Sequence, residues 1–204
     1  MAPGAGGSRL VRAVLWRALI FPGTEYCALW EGEGGWSLQG TAVLSADEAP
    51  SEIRYRVSCD KAWRTLDVEV VHSADDEERV DLRAGDDGHW FRADEELVEV
   101  TGCIDVDLGF SPSTNTLPIR RLGLAVGDSA EVRAAWVRFP QLTVEPLHQR
   151  YTRLGSDRYL YESLASDFRA ELEVDDLGLI VRYPGGWERA AAAGPLSAVA
   201  KPTG

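Results

Sequence analysis

Residues 53–58, IRYRVS, alternate strictly: Ile53, Tyr55 and Val57 share one parity, and Arg54, Arg56 and Ser58 share the other. Successive side chains of an extended chain point to opposite faces, so this stretch reads as a strand with one dry side and one wet side. The same beat recurs outward in both directions. Leu66, Val68 and Val70 alternate with Asp67 and Glu69, and Val80 and Leu82 with Asp81 and Arg83. Ala170, Leu172 and Val174 alternate with Arg169, Glu171 and Glu173. Wetting on one face only is the habit of antiparallel sheets. A sheet built from so many runs has to curl, close or fold over itself. The fold class is therefore all-β: a single, mainly antiparallel sheet forming an open barrel or β-roll, with few short helices.

Turn chemistry sits between the runs where hairpins need it. Gly85-Asp86-Asp87-Gly88 follows one strand and precedes His89-Trp90-Phe91, and Asp175-Asp176-Leu177-Gly178 separates another pair. Gly and Asp tolerate the positive φ of tight hairpins. The two hairpins, RVDLRAGDDGHWFR and RAELEVDDLGLIVRYP, resemble each other; a weak internal duplication and shared β-rules both account for that. Leu10 to Ile20 admits a helical spacing but is read as a strand, and Ser163 to Phe168 as one helical turn. The expected organisation is a disordered tail over 1–8, one all-β domain over 9–189, and a disordered low-complexity tail over 190–204. The acidic loop Ala74 to Glu78 and the Asp86-Asp87 turn are expected at the surface.

Bulk properties narrow the function. At 204 residues a chain can bury roughly 70% of its unfolded surface without staples. A net charge of −12 repels phosphate backbones and anionic bilayers, which argues against nucleic acid. Cys27, Cys59 and Cys103 are odd in number and lack a CxxC pattern, as suits reduced thiols in the cytoplasm. Arg17 interrupts the apolar run Ala13 to Phe21, so it reads poorly as a signal peptide, and no run reaches the ~20 apolar residues of a membrane span. No phosphate loop, nucleophile elbow or metal-ligand spacing is present, so no cofactor or metal is expected.

One block is richer in polar chemistry than a generic sheet requires: Gly102 to Leu122, GCIDVDLGFSPSTNTLPIRRL. Asp105 and Asp107 share one face of a strand, roughly 6.5–7 Å apart. Arg120 and Arg121 follow as natural partners for them, and a strand would turn only one of those two inward. The cluster suits either a polar anchor for hydroxyls or a phosphate, or an ion-pair network that pins the loop through Asn115. A carboxylate pair at this spacing is also that of an inverting glycosidase, which makes a glycoside hydrolase or lyase the alternative. Cys103 has no local tie to His72, His89 or His148 and reads as a small buried hydrophobe. Tyr159 and Tyr161, on one strand face, and Trp30, Trp36, Trp63, Trp90, Trp136 and Trp187 supply flat rings suited to core or to cavity walls.

The chain resembles the putative glycolipid-binding family of bacterial proteins. The likeness runs through Gly35-Trp36-x-Leu-x-Gly40, Tyr55-x-Val-x-Cys59-Asp60-x-x-Trp63, Gly102-Cys103-Ile-Asp105-x-Asp107 and Thr114-Asn115-Thr116-Leu117-Pro118-Ile119-Arg120. Phe139-Pro140, Gln149-x-Tyr151, Tyr159-x-Tyr161 and Tyr183-Pro184-x-x-Trp187 extend it, so that it covers about Trp16 to Arg189. The resemblance implies a strongly curved sheet around an apolar cavity, similar to the unclosed barrels that carry lipoproteins, and carries no catalytic residues with it. The expected role is non-enzymatic binding of an amphipathic molecule such as a glycolipid. Asp105, Asp107, Asn115, Arg120, Arg121, Trp63, Tyr159 and Tyr161 are the expected ligand-binding residues.

Overall fold

A computed structural model describes residues 7–46, 49–73, 77–85 and 87–194; the expected tail positions 1–6 and 195–204, the loop positions 74–76 and Asp86 lie outside them. Alternation in the sequence becomes alternation in burial. The first arm comprises β1 (Arg9–Ala18), β2 (Gly23–Gly32), β3 (Gly35–Ala46), β4 (Ala49–Cys59), β5 (Thr65–Ser73), β6 (Glu77–Ala84), β7 (Trp90–Arg92) and β8 (Glu95–Glu96). On β4, Ser51, Ile53, Tyr55, Val57 and Cys59 are buried while Glu52, Arg54 and Arg56 face solvent. The second arm comprises β9 (Asp105–Leu108), β10 (Ser129–Val137), β11 (Val144–Arg153), β12 (Arg158–Ser163), β13 (Arg169–Val174), β14 (Ile180–Tyr183) and β15 (Trp187–Ala193).

All fifteen strands among the described residues form one sheet in the order β8-β7-β6-β5-β4-β3-β2-β1-β15-β14-β13-β12-β11-β10-β9. Every pairing is antiparallel except β9 with β10. The sheet is not closed, and β8 and β9 are its edges. Its curvature still carries the entry to β9 against the start of β5: Thr65 N donates to Ile104 O at 3.2 Å, and Val106 N donates to Thr65 Oγ1 at 3.1 Å. The two turn segments read from the sequence adopt the same bonding. Gly85 N donates to His89 O and Asp175 N to Leu179 O, and Gly88 and Gly178 take φ of 84° and 80°.

Two local expectations change. β15 runs to Ala193 and pairs with β1, Ala13 opposite Ala193 and Val14 opposite Ala192. Positions 190–193, expected to fray, are thus held by backbone hydrogen bonds, which need no side-chain bulk. Ser163 to Phe168 is a non-helical turn closing β12 onto β13, with Ser163 N donating to Phe168 O at 2.9 Å.

Parallel neighbours require a crossover, and the β9–β10 crossover occupies the inside of the curve. Residues 110–119 are all buried. They comprise Phe110, a 3-10 turn at Ser113–Asn115, and the start of α1 (Thr116–Leu122). Pro118 falls in the first turn of α1, where its missing N–H costs nothing, and Gly123 ends the helix in the left-handed region, φ 53°. Sheet side chains from both arms, among them Leu29, Leu38, Ile53, Val70, Tyr151, Leu172 and Ile180, pack around Leu117, Phe110 and Ile119 as one core. Among the described residues no helix is long and apolar enough to cross a membrane.

Gly40 shows how tightly the inner face is fitted. A Cβ there would lie 2.5 Å from the Cζ and the hydroxyl oxygen of Tyr55, whose ring crosses β3 to reach Glu25 on β2. Gly40→Ala therefore forces Tyr55 off its partner, at about 1–3 kcal/mol for such overpacking. Thermal unfolding should show a clear fall in Tm. The cost of the same substitution should shrink in a Tyr55→Leu background, and an equal cost in both backgrounds would refute the account.

Candidate ligand-binding cleft

The crossover is polar, so it needs partners. Ser111, Ser113, Thr114, Asn115 and Thr116 are buried, and each buried polar group left unmatched costs about 1–3 kcal/mol. The sheet and the crossover itself supply the matches. Tyr151 OH donates to Asn115 Oδ1 at 2.9 Å, Asn115 Nδ2 donates to Pro112 O at 3.1 Å, and Thr116 Oγ1 donates to Gly178 O at 3.1 Å. Leu108 N donates to Thr114 Oγ1 at 3.1 Å.

Ser111 Oγ donates to Glu25 Oε1 at 2.6 Å, and Tyr55 OH donates to the same oxygen at 2.5 Å. Glu25 is fully buried, and its Oε2 has no hydrogen-bond partner among the described residues. Burial pushes its carboxyl from 4.5 up to about 8, against the opposing bonds from Ser111 and Tyr55. It is therefore mainly protonated at neutral pH.

The aspartates separate in role. Asp105 is buried and gripped by Arg121 through Nε to Oδ1 at 3.0 Å and Nη2 to Oδ2 at 2.5 Å. Burial still wins and raises its carboxyl, with Arg121 and then Arg64 opposing. The arginines sit on α1 and not on a strand, so one turn of helix splays them apart. Arg121 faces Asp105, while Arg120 is exposed, lies 5.5 Å from the Trp63 ring centroid and donates to Asp176 O at 3.4 Å. Asp107 is half-buried and accepts from Gln149 Nε2 at 2.6 Å on Oδ2; its Oδ1 accepts no hydrogen bond among the described residues. Burial lifts it from 3.8 to about 6, opposed by Gln149.

Asp107 opens onto a cleft of about 350 Å³ at one end of the second arm. Asn115 and Tyr161 border it too; Asp105, Arg120, Arg121, Trp63 and Tyr159 do not. Trp63 stacks on Trp36, centroids 4.6 Å apart, and Tyr159 is buried with Arg153 across its ring. The two aspartates therefore flank no common space. His72, packed edge-on to Phe139, and His89, bonded to Glu96, also stand apart from the cleft.

Among the lining residues, Tyr183, Phe168, Ser111, Ser163 and Ser166 were not singled out by sequence. Tyr161, Tyr183 and Phe168 form a ring cluster with centroids 6.1–6.2 Å apart. Trp136 and Trp187 complete the aromatic walls, and Ser111, Ser163 and Ser166 add hydroxyls. Gly109 admits the Trp136 indole, since a Cβ there would meet its Nε1 at 2.7 Å. Burial and Asp107 hold the Tyr161 hydroxyl protonated, hence a donor, and Gln149 Nε2 donates to its oxygen at 3.2 Å. Among the described residues, none that lines the cleft is a lysine, arginine or histidine. For Glu25 a signal existed: it lies in phase with Cys27 and Leu29 on the dry side of β2.

Residues 13–189 match the family described as putative glycolipid-binding. The chain belongs to that family. The crystal structure of a DUF1089 family protein from Pseudomonas aeruginosa is similar to this family member at a TM-score of 0.75 and 36% identity, over 81% of this chain and 91% of that one. No curated protein matches it.

Two predictions follow from the charges. Arg121→Ala leaves Asp105 buried and unpaired, at about 3–5 kcal/mol, whereas Arg120→Ala forfeits an exposed cation–π contact of about 1 kcal/mol or less; denaturant unfolding of both variants separates them. Glu25 and Asp107 bind their protons more tightly folded than unfolded. Their contribution is complete below 4.5 and 3.8 and is lost as pH climbs towards about 8 and about 6. Urea midpoints should thus decline between those limits, and Glu25→Gln should flatten the part above pH 6, worth on the order of a few kcal/mol. An undiminished decline in that variant would refute the assignment.

Proposed function

We propose that this protein binds an amphipathic ligand by its uncharged, hydroxyl-rich headgroup, as a glycolipid presents, and does so in the Asp107 cleft. The observation that carries the reading is Asp107 itself: a carboxylate at the floor of an aromatic cleft, with one oxygen held by Gln149 and the other unclaimed. Near neutral pH it is mostly ionised, and charge-assisted bonds to hydroxyls are the strong kind. Tyr161 OH, Asn115 Nδ2 and the serine hydroxyls offer donors and acceptors beside it. Flat rings suit the apolar face of a sugar. The lack of cations in the lining argues against a phosphate. The volume lies at the low end for small-molecule sites. The family's description agrees with this class of ligand.

Asp105 and Arg121 act here as a structural clamp, and Trp63, Tyr159 and Arg120 as packing. Three buried, unpaired thiols at Cys27, Cys59 and Cys103 support a reducing, cytoplasmic setting.

Trp136 and Trp187 in the walls provide the assay. Titration with short alkyl glucosides should change tryptophan fluorescence, and Asp107→Asn should weaken binding about tenfold or more, as for loss of a charged hydrogen bond. Arg120→Ala should bind as wild type does. A flat signal across neutral glycosides and glycolipids, with native mass spectrometry showing only empty protein, would overturn the reading.

A further inference from the structure

The Asp107 cleft is small. Its 350 Å³ equals about a dozen water-sized groups, room for one sugar ring and less than one long acyl chain needs. Residues 110–119, all buried, occupy the concave interior beside it. At the cleft mouth, three turns meet: 19–22 between β1 and β2, 164–168 between β12 and β13, and 184–186 between β14 and β15. Leu19 N donates to Gly186 O at 2.9 Å, which ties the first turn to the third. The tips of these turns carry apolar side chains in open solvent: Ile20 is 70% exposed, Phe168 45%, Leu19 42% and Leu164 39%. Ile20 and Phe168 also line the cleft, so the greasy rim and the polar floor are continuous.

We propose that the protein reads the head of a glycolipid that remains in its bilayer: the sugar enters the cleft, the rim of Leu19, Ile20, Leu164 and Phe168 rests on the membrane, and the tails stay in lipid. The inference rests on the headgroup reading above and specifies where the apolar part goes. The cation-free cleft and the net charge of −12 fit an uncharged or zwitterionic surface, since an anionic one repels the protein. Apolar side chains at turn tips are free to insert shallowly, whereas a carrier that shields tails needs an enclosed apolar space.

The test uses the full chain with phosphatidylcholine vesicles that contain or lack a monoglycosyl diacylglycerol bearing a fluorescent tail. The protein should sediment with the glycolipid vesicles and leave no labelled lipid in the supernatant. Leu19→Asp/Leu164→Asp, outside the cleft lining, should lose vesicle binding by about tenfold or more while still binding a soluble alkyl glucoside. Labelled lipid carried into the supernatant, or vesicle binding unaffected by the double substitution, would overturn the inference. Soluble glucoside binding without vesicle binding would overturn it and leave the headgroup reading intact; absence of both would remove both.

Discussion

A hydrogen-bonding obligation organises this molecule. Ten consecutive buried residues with several hydroxyl and amide side chains lie inside the curve of a wide sheet, and burying them unpaired would cost more than a typical domain's net stability. The sheet meets that obligation with side chains on its inner face. Glu25 and Tyr55 take Ser111, Tyr151 takes Asn115, and the backbone of Gly178 takes Thr116. These bonds come from β2, β4, β11 and the β13–β14 turn, so they join both arms to one segment. The curvature of the sheet and the seating of the crossover are two aspects of one arrangement.

The same arrangement sets the electrostatics. Three carboxyl groups, Glu25, Asp105 and Asp107, are drawn out of water, and burial raises all three. Their surroundings then part them. Glu25 accepts neutral hydroxyls and keeps its proton. Asp105 is held by a guanidinium fork on both of its oxygens. Asp107 receives one amide donor and keeps an oxygen open to the cleft. Two aspartates alike in sequence thereby come to differ: Asp105 closes on an arginine, and Asp107 borders the cleft.

Much of the architecture was legible beforehand. Period-two alternation in residues 53–58 and its echoes dictates one-sided strands, and Gly/Asp clusters mark the hairpins. What remained hidden depends on tertiary placement. The block 109–122 reads as loop and strand; the signals of a short buried helix, Pro118 in the first turn and Gly123 just past the end, were present but weak. Arg120 and Arg121 therefore part by helical rotation and not by strand alternation. Of the eight residues expected at the site, Asp107, Asn115 and Tyr161 meet at one cleft, because strand parity places a residue on a face but not beside a hollow. Tyr183 and Phe168 reach it from β14 and from the turn between β12 and β13, and Gln149 of β11 stands behind it, bonded to Asp107. Tails drawn from alanine-rich composition also misjudge β15, whose ladder bonds are indifferent to side chains.

The pairing of β1 with β15 has a mechanical corollary. The outer borders of the sheet, β8 and β9, are made from the middle of the polypeptide, while its first and last strands form the central seam. Erosion from either terminus would thus open the β-structure down its midline, leaving two half-sheets joined through the segment they enclose and through the bonds of Thr65 to Ile104 and Val106. The link between β8 and β9 is no loose border either: Val100 and Cys103 are buried in it, and Arg133 donates to the carbonyls of Glu99 and Thr101.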